Sequence, residues 1–306
     1  MNKAIVTGAN GFLGAALCSE LAHKGICVTA VVRNEAEDIT AIKNLPNIRI
    51  VYCDLKNFID LAQYVSERDF DVCYHFAWAG VSGPARCDYE LQINNVRFAC
   101  DTLKACSDIG CRRFVFASSI MEYEVETVMN STQTPDSSTL YSSAKHVTNY
   151  MLRALAASLG IEYIRAVISN VYGPGETNPR LINSSLRKMM AGEHCSFSPG
   201  EQMYDFIYIT DAAAAFAAIG EHGKTNHSYY IGSSQPKKLK EFLCEMRDQV
   251  DPDIEIGIGE LSFNGVFLLY NEFDKAALEN EIGFVPSVSF SEGIRNTIEW
   301  LKGIEE

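Results

Sequence analysis

Short apolar runs alternate with longer amphipathic stretches through the first half of the chain. The apolar runs suit buried strands and fall at Ala4–Val6, Val28–Val32, Ile48–Tyr52, Val72–Phe76, Phe114–Ala117 and Tyr163–Val167. Helical spacing separates them, most clearly at Phe12–Lys24, Tyr89–Ile109 and Tyr141–Leu159. Strands that alternate with helices form βαβ units, and such units build a parallel sheet with helices on both faces. We therefore predict an α/β fold with a doubly wound parallel sheet.

The pattern changes after Tyr172-Gly173-Pro174-Gly175. Shorter elements follow, with a strand-like run at 206–209, an Ala-rich helical stretch at 212–220 and another helical stretch at 289–302. This change predicts a smaller, mixed α/β C-terminal lobe, and the stretch 205–232 is expected to return to the sheet. The predicted boundaries are residues 1–172 plus 205–232 for the sheet domain and residues 173–204 plus 233–306 for the second lobe.

Composition and charge exclude several classes of protein. The 306 residues are 47% hydrophobic, as in soluble globular proteins. The net charge of −13 disfavours nucleic acid or an anionic membrane as a partner, and no apolar run approaches the length of a membrane-spanning helix. The ten cysteines show no metal-binding spacing. We expect no metal site and a reduced, cytoplasmic protein.

Three glycines directly follow the first apolar run, in the spacing Gly8-x-x-Gly11-x-x-Gly14. Glycine allows the backbone to approach a ligand closely, so N–H groups at a helix start can hold a pyrophosphate. The position between a strand and a helix makes a dinucleotide site the leading hypothesis. The alternative is an ordinary tight turn between strand and helix.

Tyr141 and Lys145 are four residues apart in a helical stretch and therefore share one helix face. A nearby ammonium lowers the pKa of a phenol, which can then exchange a proton with a carbonyl or alcohol oxygen. The same spacing at Tyr52 and Lys56 straddles a strand end and carries no such prediction. Ser118 and Ser119 follow the fifth apolar run, at the carboxyl end of a strand, where open α/β sheets bind ligands. The alternative for these serines is a role in capping a turn.

The end of the second strand bears on the choice of cofactor. NAD-selective sites carry an acidic residue there for the ribose 2′-hydroxyl, whereas this chain has Val32 followed by Arg33. A guanidinium can grip a 2′-phosphate, which favours NADP(H). The alternative is that Arg33 is solvated and NAD(H) binds. Glu35 and Glu37 lie further along than the expected position.

The glycine turn, the strand-end serines and the Tyr141/Lys145 pair, in this order, resemble the extended short-chain dehydrogenase/reductase family. More narrowly, the chain resembles its NAD-dependent epimerase/dehydratase branch, which acts on nucleotide sugars on a Rossmann-type fold. The resemblance covers nearly the whole chain and includes Asp54-Leu55, His75-Phe76-Ala77, Asn95-Val96, Asn170-Val171-Tyr172-Gly173-Pro174, the stretch 205–211, Gly293 and Trp300. It implies that the sheet domain binds the dinucleotide and the second lobe the substrate.

The resemblance also implies residue roles. Ser119 would be the catalytic serine, Tyr141 the general acid/base, and Lys145 the residue that holds the nicotinamide ribose. The predicted cofactor contacts are Gly8, Asn10, Gly11, Phe12, Leu13, Gly14, Arg33, Asp54, Leu55, Phe76, Ala77, Ala79, Ser118, Tyr141 and Lys145. The predicted substrate contacts are Ser119, Asn170, Arg180 and Arg86, with plain solvation as the alternative for Arg86.

Two positions depart from the family pattern. Glu124 stands where the family usually has Gly, and Tyr204 stands where an Arg usually grips the substrate diphosphate. Diphosphate binding would then fall to other cations, such as Arg180 or Arg187.

The residues after Ser119 bear on the reaction. Dehydratases of this branch place an acidic pair there, whereas this chain has Ile120 and Met121, and Glu122 is one residue out of register. An NADP(H)-dependent reductase of a 4-keto nucleotide sugar is the first hypothesis, and an NAD-dependent 4-epimerase is the second. A dinucleotide-binding redox sensor without turnover is the third. The resemblance further implies a homodimer formed through Tyr89–Ile109 and Tyr141–Leu159.

Overall fold

The computed structural model describes residues 1–131, 135, 137–270 and 273–305. In chain order its strands are β1 (Lys3–Thr7), β2 (Cys27–Val32), β3 (Ile48–Tyr52), β4 (Val72–His75), β5 (Arg113–Ser119), β6 (Glu162–Ile168), β7 (Asn170–Tyr172), β8 (Cys195–Phe197), β9 (Met203–Tyr204), β10 (Phe206–Tyr208), β11 (His227–Ile231), β12 (Lys237–Lys238) and β13 (Ile256–Ile258). Its helices are α1 (Phe12–His23), α2 (Leu61–Tyr64), α3 (Tyr89–Asp108), α4 (Glu122–Met129), α5 (Thr139–Leu159), α6 (Leu181–Met190), α7 (Ile209–His222), α8 (Leu239–Val250), α9 (Ala277–Ile282) and α10 (Phe290–Glu305). Turns of 3₁₀ helix lie at Leu55–Asp60 and Gly83–Cys87.

Seven strands form one parallel sheet in the order β11-β6-β5-β4-β1-β2-β3. The chain moves outward from β1 to β3 and then crosses to β4, which pairs with the other side of β1. This reversal opens a crevice at the carboxyl edge of the sheet, between the loops that follow β1 and β4. The predicted doubly wound sheet is confirmed, and all six apolar runs of the first half form its strands.

Alternate residues of the central strands supply two separate cores, because successive side chains of a strand point to opposite faces. Ile5 and Phe114 pack under α3 and α5, whereas Val6 and Val115 pack under α1 and α7. All four side chains are fully buried. The strands are thus apolar on both faces, which explains why each reads as a continuous apolar run.

Outside this sheet, the second half forms short strand pairs with helices. β8 pairs with β13, β9 pairs with β12, and α8 packs against both α6 and α10. Phe242 connects Phe206 and Phe290, with ring centroids 4.9 Å and 4.7 Å away. β10 pairs with β7 and continues through α7 into β11, the edge strand beside β6. The domain boundaries given above stay a prediction.

Asp205 holds the chain in place where it passes between the parallel sheet and the elements outside it. Its buried carboxylate accepts hydrogen bonds from the Ser233 and Ser234 backbone N–H groups, at 3.0 and 3.1 Å, and from the Tyr230 hydroxyl at 2.7 Å. Burial raises its pKa, and the hydrogen bonds from Ser233 and Tyr230 oppose that rise. Asp205 thereby ties the start of β10 to the loop after β11 and sets the position of the adjacent Tyr204.

None of the helices in the described part of the chain has the length and apolar character needed to cross a membrane. The same residues contain no group of three or more His, Cys, Asp or Glu side chains placed to hold a metal ion. All ten cysteines are free thiols.

Candidate active site

The turn between β1 and α1 explains the glycines at positions 8 and 14. Gly8 has a φ of +67°, which residues with a side chain rarely adopt. A Cβ at Gly14 would lie 2.1 Å from the Gly8 carbonyl oxygen, so only glycine fits there. No side chain of the described residues caps the start of α1, which leaves its first N–H groups open to an anion. The turn therefore fits the pyrophosphate of a dinucleotide.

This turn lines a cleft of about 410 Å³ at the reversal point of the sheet, which we call the glycine cleft. The predicted cofactor residues that line it are Gly8, Asn10, Gly11, Phe12, Leu13, Gly14, Phe76, Ala77, Ser118, Tyr141 and Lys145. Glu37 and Trp78 also line it and were not predicted to do so. The sequence offered one signal for Trp78, which is its position directly after the predicted cofactor contacts Phe76 and Ala77.

Four predicted cofactor residues do not line the glycine cleft: Arg33, Asp54, Leu55 and Ala79. The Asp54 carboxylate accepts a hydrogen bond from the Lys56 N–H at 3.1 Å and so begins a 3₁₀ turn. Leu55 packs against the core beneath α3. The Ala79 N–H and carbonyl both bond to the Asn95 side chain, at 3.0 and 2.8 Å. Their roles as cofactor contacts stay predictions.

Arg33 has an acidic partner in this structure. Its Nε donates to the Glu37 carboxylate at 2.6 Å, and a second nitrogen of the guanidinium contacts the same oxygen. Glu37 lines the glycine cleft, whereas the Arg33 side chain is 64% exposed. The cleft therefore presents a carboxylate close to the guanidinium on which the NADP(H) prediction was based.

Ser119 and Tyr141 lie where the glycine cleft meets a second cavity of about 320 Å³, since both residues line both spaces. Tyr141 is on the first turns of α5, and Ser119 ends β5. Ser119 acts to lower the pKa of the Tyr141 phenol, so the two hydroxyl groups lie near each other. A substrate in the second cavity would thus reach both hydroxyl groups from the side opposite the cofactor.

The ionisation of Tyr141 differs from the sequence-based expectation. Its pKa is raised above the ordinary value for tyrosine, because burial outweighs the opposing charges of Arg86 and Arg180. Lys145, which we expected to lower this pKa, is not the cation that acts on the phenol. The Arg86 guanidinium carbon lies 4.7 Å from the centre of the Tyr141 ring. Arg86 thus takes the place beside the phenol that we expected for Lys145. The buried phenol therefore keeps its proton at neutral pH.

Lys145 is directed toward the sheet. Its Nζ donates to the Ala117 carbonyl at 2.8 Å and lies 3.9 Å from the centre of the Trp78 ring. Burial lowers the pKa of this ammonium to about 7, and the charge of Glu122 opposes that change. Lys145 still lines the glycine cleft, where its predicted partner is the nicotinamide ribose.

We call the second cavity the arginine cavity, after two cations in its wall. The predicted substrate residues Arg86, Ser119, Asn170 and Arg180 all line it. Glu176, Asn183 and Tyr204 also line it. Of the three, sequence reasoning singled out only Tyr204. Glu176 and Asn183 come from a loop and a helix that lie outside the motif Asn170–Pro174, so no local pattern identifies them.

The two arginines differ in their partners. Arg180 Nε lies 3.6 Å from the carboxylate of Glu176, which is only 3% exposed. Arg86 has a buried Nε without a hydrogen-bond partner among the described residues. Burial raises the pKa of both Tyr204 and Tyr141, and the charge of Arg86 opposes both rises, so the guanidinium lies near both rings. Arg187, the other cation considered for the diphosphate, does not line the cavity, and its Nε donates to Asn183 Oδ1 at 3.0 Å.

A family model described as the NAD dependent epimerase/dehydratase family matches residues 4–232. The match includes the glycine turn, Ser119, Tyr141 and Lys145. The chain belongs to this family. The resemblance seen in the sequence is thereby confirmed, and the curated relatives and structural neighbours of the chain include nucleotide-sugar dehydratases and epimerases of the extended short-chain dehydrogenase/reductase family.

Curated relatives of this epimerase/dehydratase chain include a trifunctional UDP-glucose 4,6-dehydratase/UDP-4-keto-6-deoxy-D-glucose 3,5-epimerase/UDP-4-keto-L-rhamnose-reductase of Arabidopsis thaliana. It is 26% identical over 97% of this chain, which spans only 46% of that relative's length. A dTDP-glucose 4,6-dehydratase of Escherichia coli is 23% identical, and the match covers 97% of this chain and 93% of the relative. Both names include a 4,6-dehydratase activity, and the first adds an epimerase and a reductase activity.

Solved structures of similar fold include a UDP-N-acetylglucosamine 4-epimerase from Methanobrevibacter ruminantium in complex with UDP-N-acetylmuramic acid. It has a TM-score of 0.83 and 22% identity, and the match covers 99% of each chain. The Bordetella bronchiseptica enzyme WbmF in complex with NADH has a TM-score of 0.80 and 20% identity, over 99% of this chain and 92% of the other. At these identities the likeness establishes the fold of the epimerase/dehydratase chain.

Proposed function

We propose that this protein is an NADP(H)-dependent oxidoreductase that reduces the 4-keto group of a nucleotide-activated deoxysugar. The observation that carries the proposal is the position of Ser119 and Tyr141 at the junction of the glycine cleft and the arginine cavity. A bound nicotinamide dinucleotide supplies the hydride. Tyr141 donates its phenolic proton to the carbonyl oxygen, and the Ser119 hydroxyl hydrogen-bonds to the same oxygen as charge develops on it.

The ionisation of Tyr141 favours reduction over oxidation. Its pKa is raised, chiefly by burial, so the phenol carries the proton that ketone reduction consumes. An enzyme that first oxidises an alcohol needs the phenolate instead. The Arg86 and Arg180 charges oppose the rise in pKa and limit the cost of losing that proton during the reaction.

Elimination of water has less support, although the curated relatives include dehydratases. Ile120 is buried and apolar, and Met121 supplies no carboxylate beside Ser119. Glu122 faces away from the arginine cavity and is held by Ser118 and Arg165. A dehydratase needs an acid and a base at the sugar, and neither is supplied by these three positions.

The shape of the binding region supports a nucleotide sugar as the substrate. The arginine cavity shares Leu181 and Tyr204 with a further cleft of about 420 Å³, in which Phe197 and Phe263 supply aromatic surface. A sugar beside Tyr141 would leave its diphosphate near Arg86 and its nucleoside in this further cleft. Arg86, with its buried Nε unpartnered among the described residues, is thus proposed to bind the diphosphate.

A second candidate is an NAD-dependent 4-epimerase that uses the same residues. The observation in its favour is Glu37, which lines the glycine cleft and can accept a hydrogen bond from a ribose 2′-hydroxyl. For NADP(H) to bind as proposed, Arg33 must leave Glu37 or bind the 2′-phosphate beside it. Epimerases of the family keep NAD bound between half-reactions, whereas a reductase exchanges its cofactor.

This difference supplies the test. The purified protein is denatured, and any released dinucleotide is identified by mass spectrometry. Intact protein is then titrated with NADPH and NADH and assayed with UDP- and dTDP-linked 4-keto-6-deoxy sugars. An empty protein that prefers NADPH and consumes it with these sugars supports the reductase. Stoichiometric NAD released from the protein refutes that proposal and supports the epimerase.

We further propose a homodimer in the cytoplasm. The neighbouring helices α3 and α5 expose a set of large apolar side chains, among them Ile93 at 63% and Tyr150 at 76% exposure. Val147 and Met151 extend the same set along α5. Such a surface suits pairing with a second copy of the chain, and the ten free thiols suit a reducing compartment. Sedimentation of the wild type and of the Tyr150→Glu variant tests the dimer.

A further inference from the structure

A buried amide on α3 supports the loop that carries Trp78 and Arg86. Gln92 lies in the first turn of α3 and is only 2% exposed. Its Oε1 accepts a hydrogen bond from Trp78 Nε1 at 3.0 Å, and its Nε2 donates to the Ala85 carbonyl at 3.1 Å. The peptide bond of that carbonyl leads directly into Arg86. A single side chain therefore holds the loop between β4 and α3 near both of its ends.

The orientation of this amide follows from the chemistry of its partners. An indole N–H can only donate and a backbone carbonyl can only accept, so Oε1 must face Trp78 and Nε2 must face the loop. Gln92 Nε2 also donates to the Gly80 carbonyl at 3.1 Å, and Oε1 also accepts from Asn95 Nδ2 at 3.3 Å. Both hydrogens and both acceptor positions of the amide are thus used. Gln92 therefore has one defined orientation and fixes the two ends of the loop relative to each other.

Attachment of the loop to α3 does not by itself require Gln92. Asn95, one turn further along the helix, already holds the backbone N–H and carbonyl of Ala79, at 3.0 and 2.8 Å. What Gln92 adds is the connection between the Trp78 side chain and the 3₁₀ turn that carries Arg86.

Both residues at the ends of this connection contact the ring of Tyr141. The Trp78 ring centre lies 6.2 Å from the Tyr141 ring centre, with the two planes at 80°, and the Arg86 guanidinium carbon lies 4.7 Å from the same centre. Trp78 lines the glycine cleft, whereas Arg86 lines the arginine cavity. The candidate proton donor is thus contacted from both spaces by one loop, and Gln92 joins the two contacts.

We propose that Gln92 is a positioning residue that sets Trp78 and Arg86 against the Tyr141 ring, one from the glycine cleft and the other from the arginine cavity. The use of these positions, in proton transfer and in diphosphate binding, rests on the proposed function. The effect of Gln92 on Arg86 itself does not, and it can be measured in protein that holds neither cofactor nor sugar.

The first test measures how firmly Arg86 is held. Phenylglyoxal modifies accessible guanidinium groups, and peptide mass spectrometry reads the rate at each arginine. Gln92→Met keeps the length of the side chain but removes its four hydrogen bonds, so Arg86 should react about fivefold faster. Arg97, which is 63% exposed on the same helix, is the internal reference and should not change. Gln63→Met removes an amide from an exposed position and is the matched control.

Gln92→Glu separates the two ends of the connection and also serves if Gln92→Met fails to fold. A carboxylate still accepts from the Trp78 indole but has no N–H for the Gly80 and Ala85 carbonyls. The Trp78 indole N–H, followed by NMR with ¹⁵N-labelled tryptophan, should exchange as slowly as in the wild type, whereas Arg86 should again react faster. An unchanged Arg86 rate in either folded variant would overturn the proposal.

A double-mutant cycle with UDP as the probe connects this role to the substrate site. Because Gln92 acts through Arg86, Gln92→Met should weaken UDP binding about fivefold in the wild type but less than about twofold in Arg86→Met. Equal losses in both backgrounds would reveal a general structural effect and contradict the positioning role. Wild-type protein that binds no UDP would refute the proposed function and leave the Arg86 rates readable.

Discussion

The glycine cleft and the arginine cavity meet at Ser119 and Tyr141 but are built differently. The floor of the glycine cleft is backbone from one short segment, packed so closely that a Cβ at Gly14 would lie 2.1 Å from a carbonyl oxygen. The arginine cavity is walled by side chains from separate segments, including Arg86, Glu176 and Tyr204. Close backbone packing leaves the first space little freedom to vary. In the arginine cavity, replacement of a single side chain can change which ligand binds without disturbing the fold.

Replacement of Tyr141 by Phe at the junction should have the largest effect on turnover. The phenylalanine keeps the ring under Arg86 but removes the proton donor, so ketone reduction should slow by about 10²–10⁴-fold. The affinity for NADPH, measured by fluorescence titration, should change little because both clefts keep their shape. Unchanged turnover would remove Tyr141 from the mechanism.

A matched pair of glycine variants tests the close packing of the first cleft. Gly14→Ala forces a methyl group onto the Gly8 carbonyl, whereas a Cβ at Gly11 would lie 3.3 Å from the same oxygen. We expect Gly14→Ala to weaken dinucleotide binding roughly 10–100-fold and to lower the free energy of unfolding by about 1–3 kcal/mol. Gly11→Ala should show a much smaller loss in both.

Calorimetric titration and urea unfolding of the two glycine variants provide the comparison. Equal losses would mean that the whole turn, and not the contact between residues 8 and 14, limits binding. Dinucleotide affinity preserved in Gly14→Ala would contradict the close-packed floor altogether.

Arg86→Met tests the claim that the second cavity carries its selectivity in side chains. Methionine retains bulk over the Tyr141 ring but loses the guanidinium, so binding of UDP or dTDP should weaken about tenfold. NADPH affinity should stay unchanged, because Arg86 does not line the glycine cleft. Arg97→Met, an exposed position on α3, serves as the control. A comparable loss of NADPH affinity would show that Arg86 affects binding in the glycine cleft as well as in the arginine cavity.

The same contrast explains what could be predicted from the sequence. Strands buried on both faces read as continuous apolar runs, and the glycine turn, Ser119, Tyr141 and Lys145 each belong to a local pattern. Six of the seven strands of the sheet were therefore predicted in place, whereas the edge strand β11 was not. Glu176 and Asn183 were missed because they reach the arginine cavity only through the tertiary fold.

Electrostatics was the least predictable part. The spacing of Tyr141 and Lys145 correctly places them on one helix face, yet the ammonium bonds to the Ala117 carbonyl and the nearby cation is Arg86. Similarly, Glu122 is out of register for a dehydratase, and nothing in its neighbourhood along the chain indicates a bond to Arg165 of β6. Both outcomes depend on which segments the sheet brings together.

The smallest predicted effect concerns the charged pair of Arg33 and Glu37 at the edge of the glycine cleft. Arg33→Ala should weaken NADPH binding about fivefold and leave NADH binding nearly unchanged, because only the 2′-phosphate needs the guanidinium. Glu37→Gln should strengthen NADPH binding by a similar factor, since it removes a carboxylate that competes for Arg33. Both are read by titration with each cofactor. Weaker NADH binding in Glu37→Gln, without a gain for NADPH, would instead make Glu37 the ribose-binding residue of an NAD enzyme.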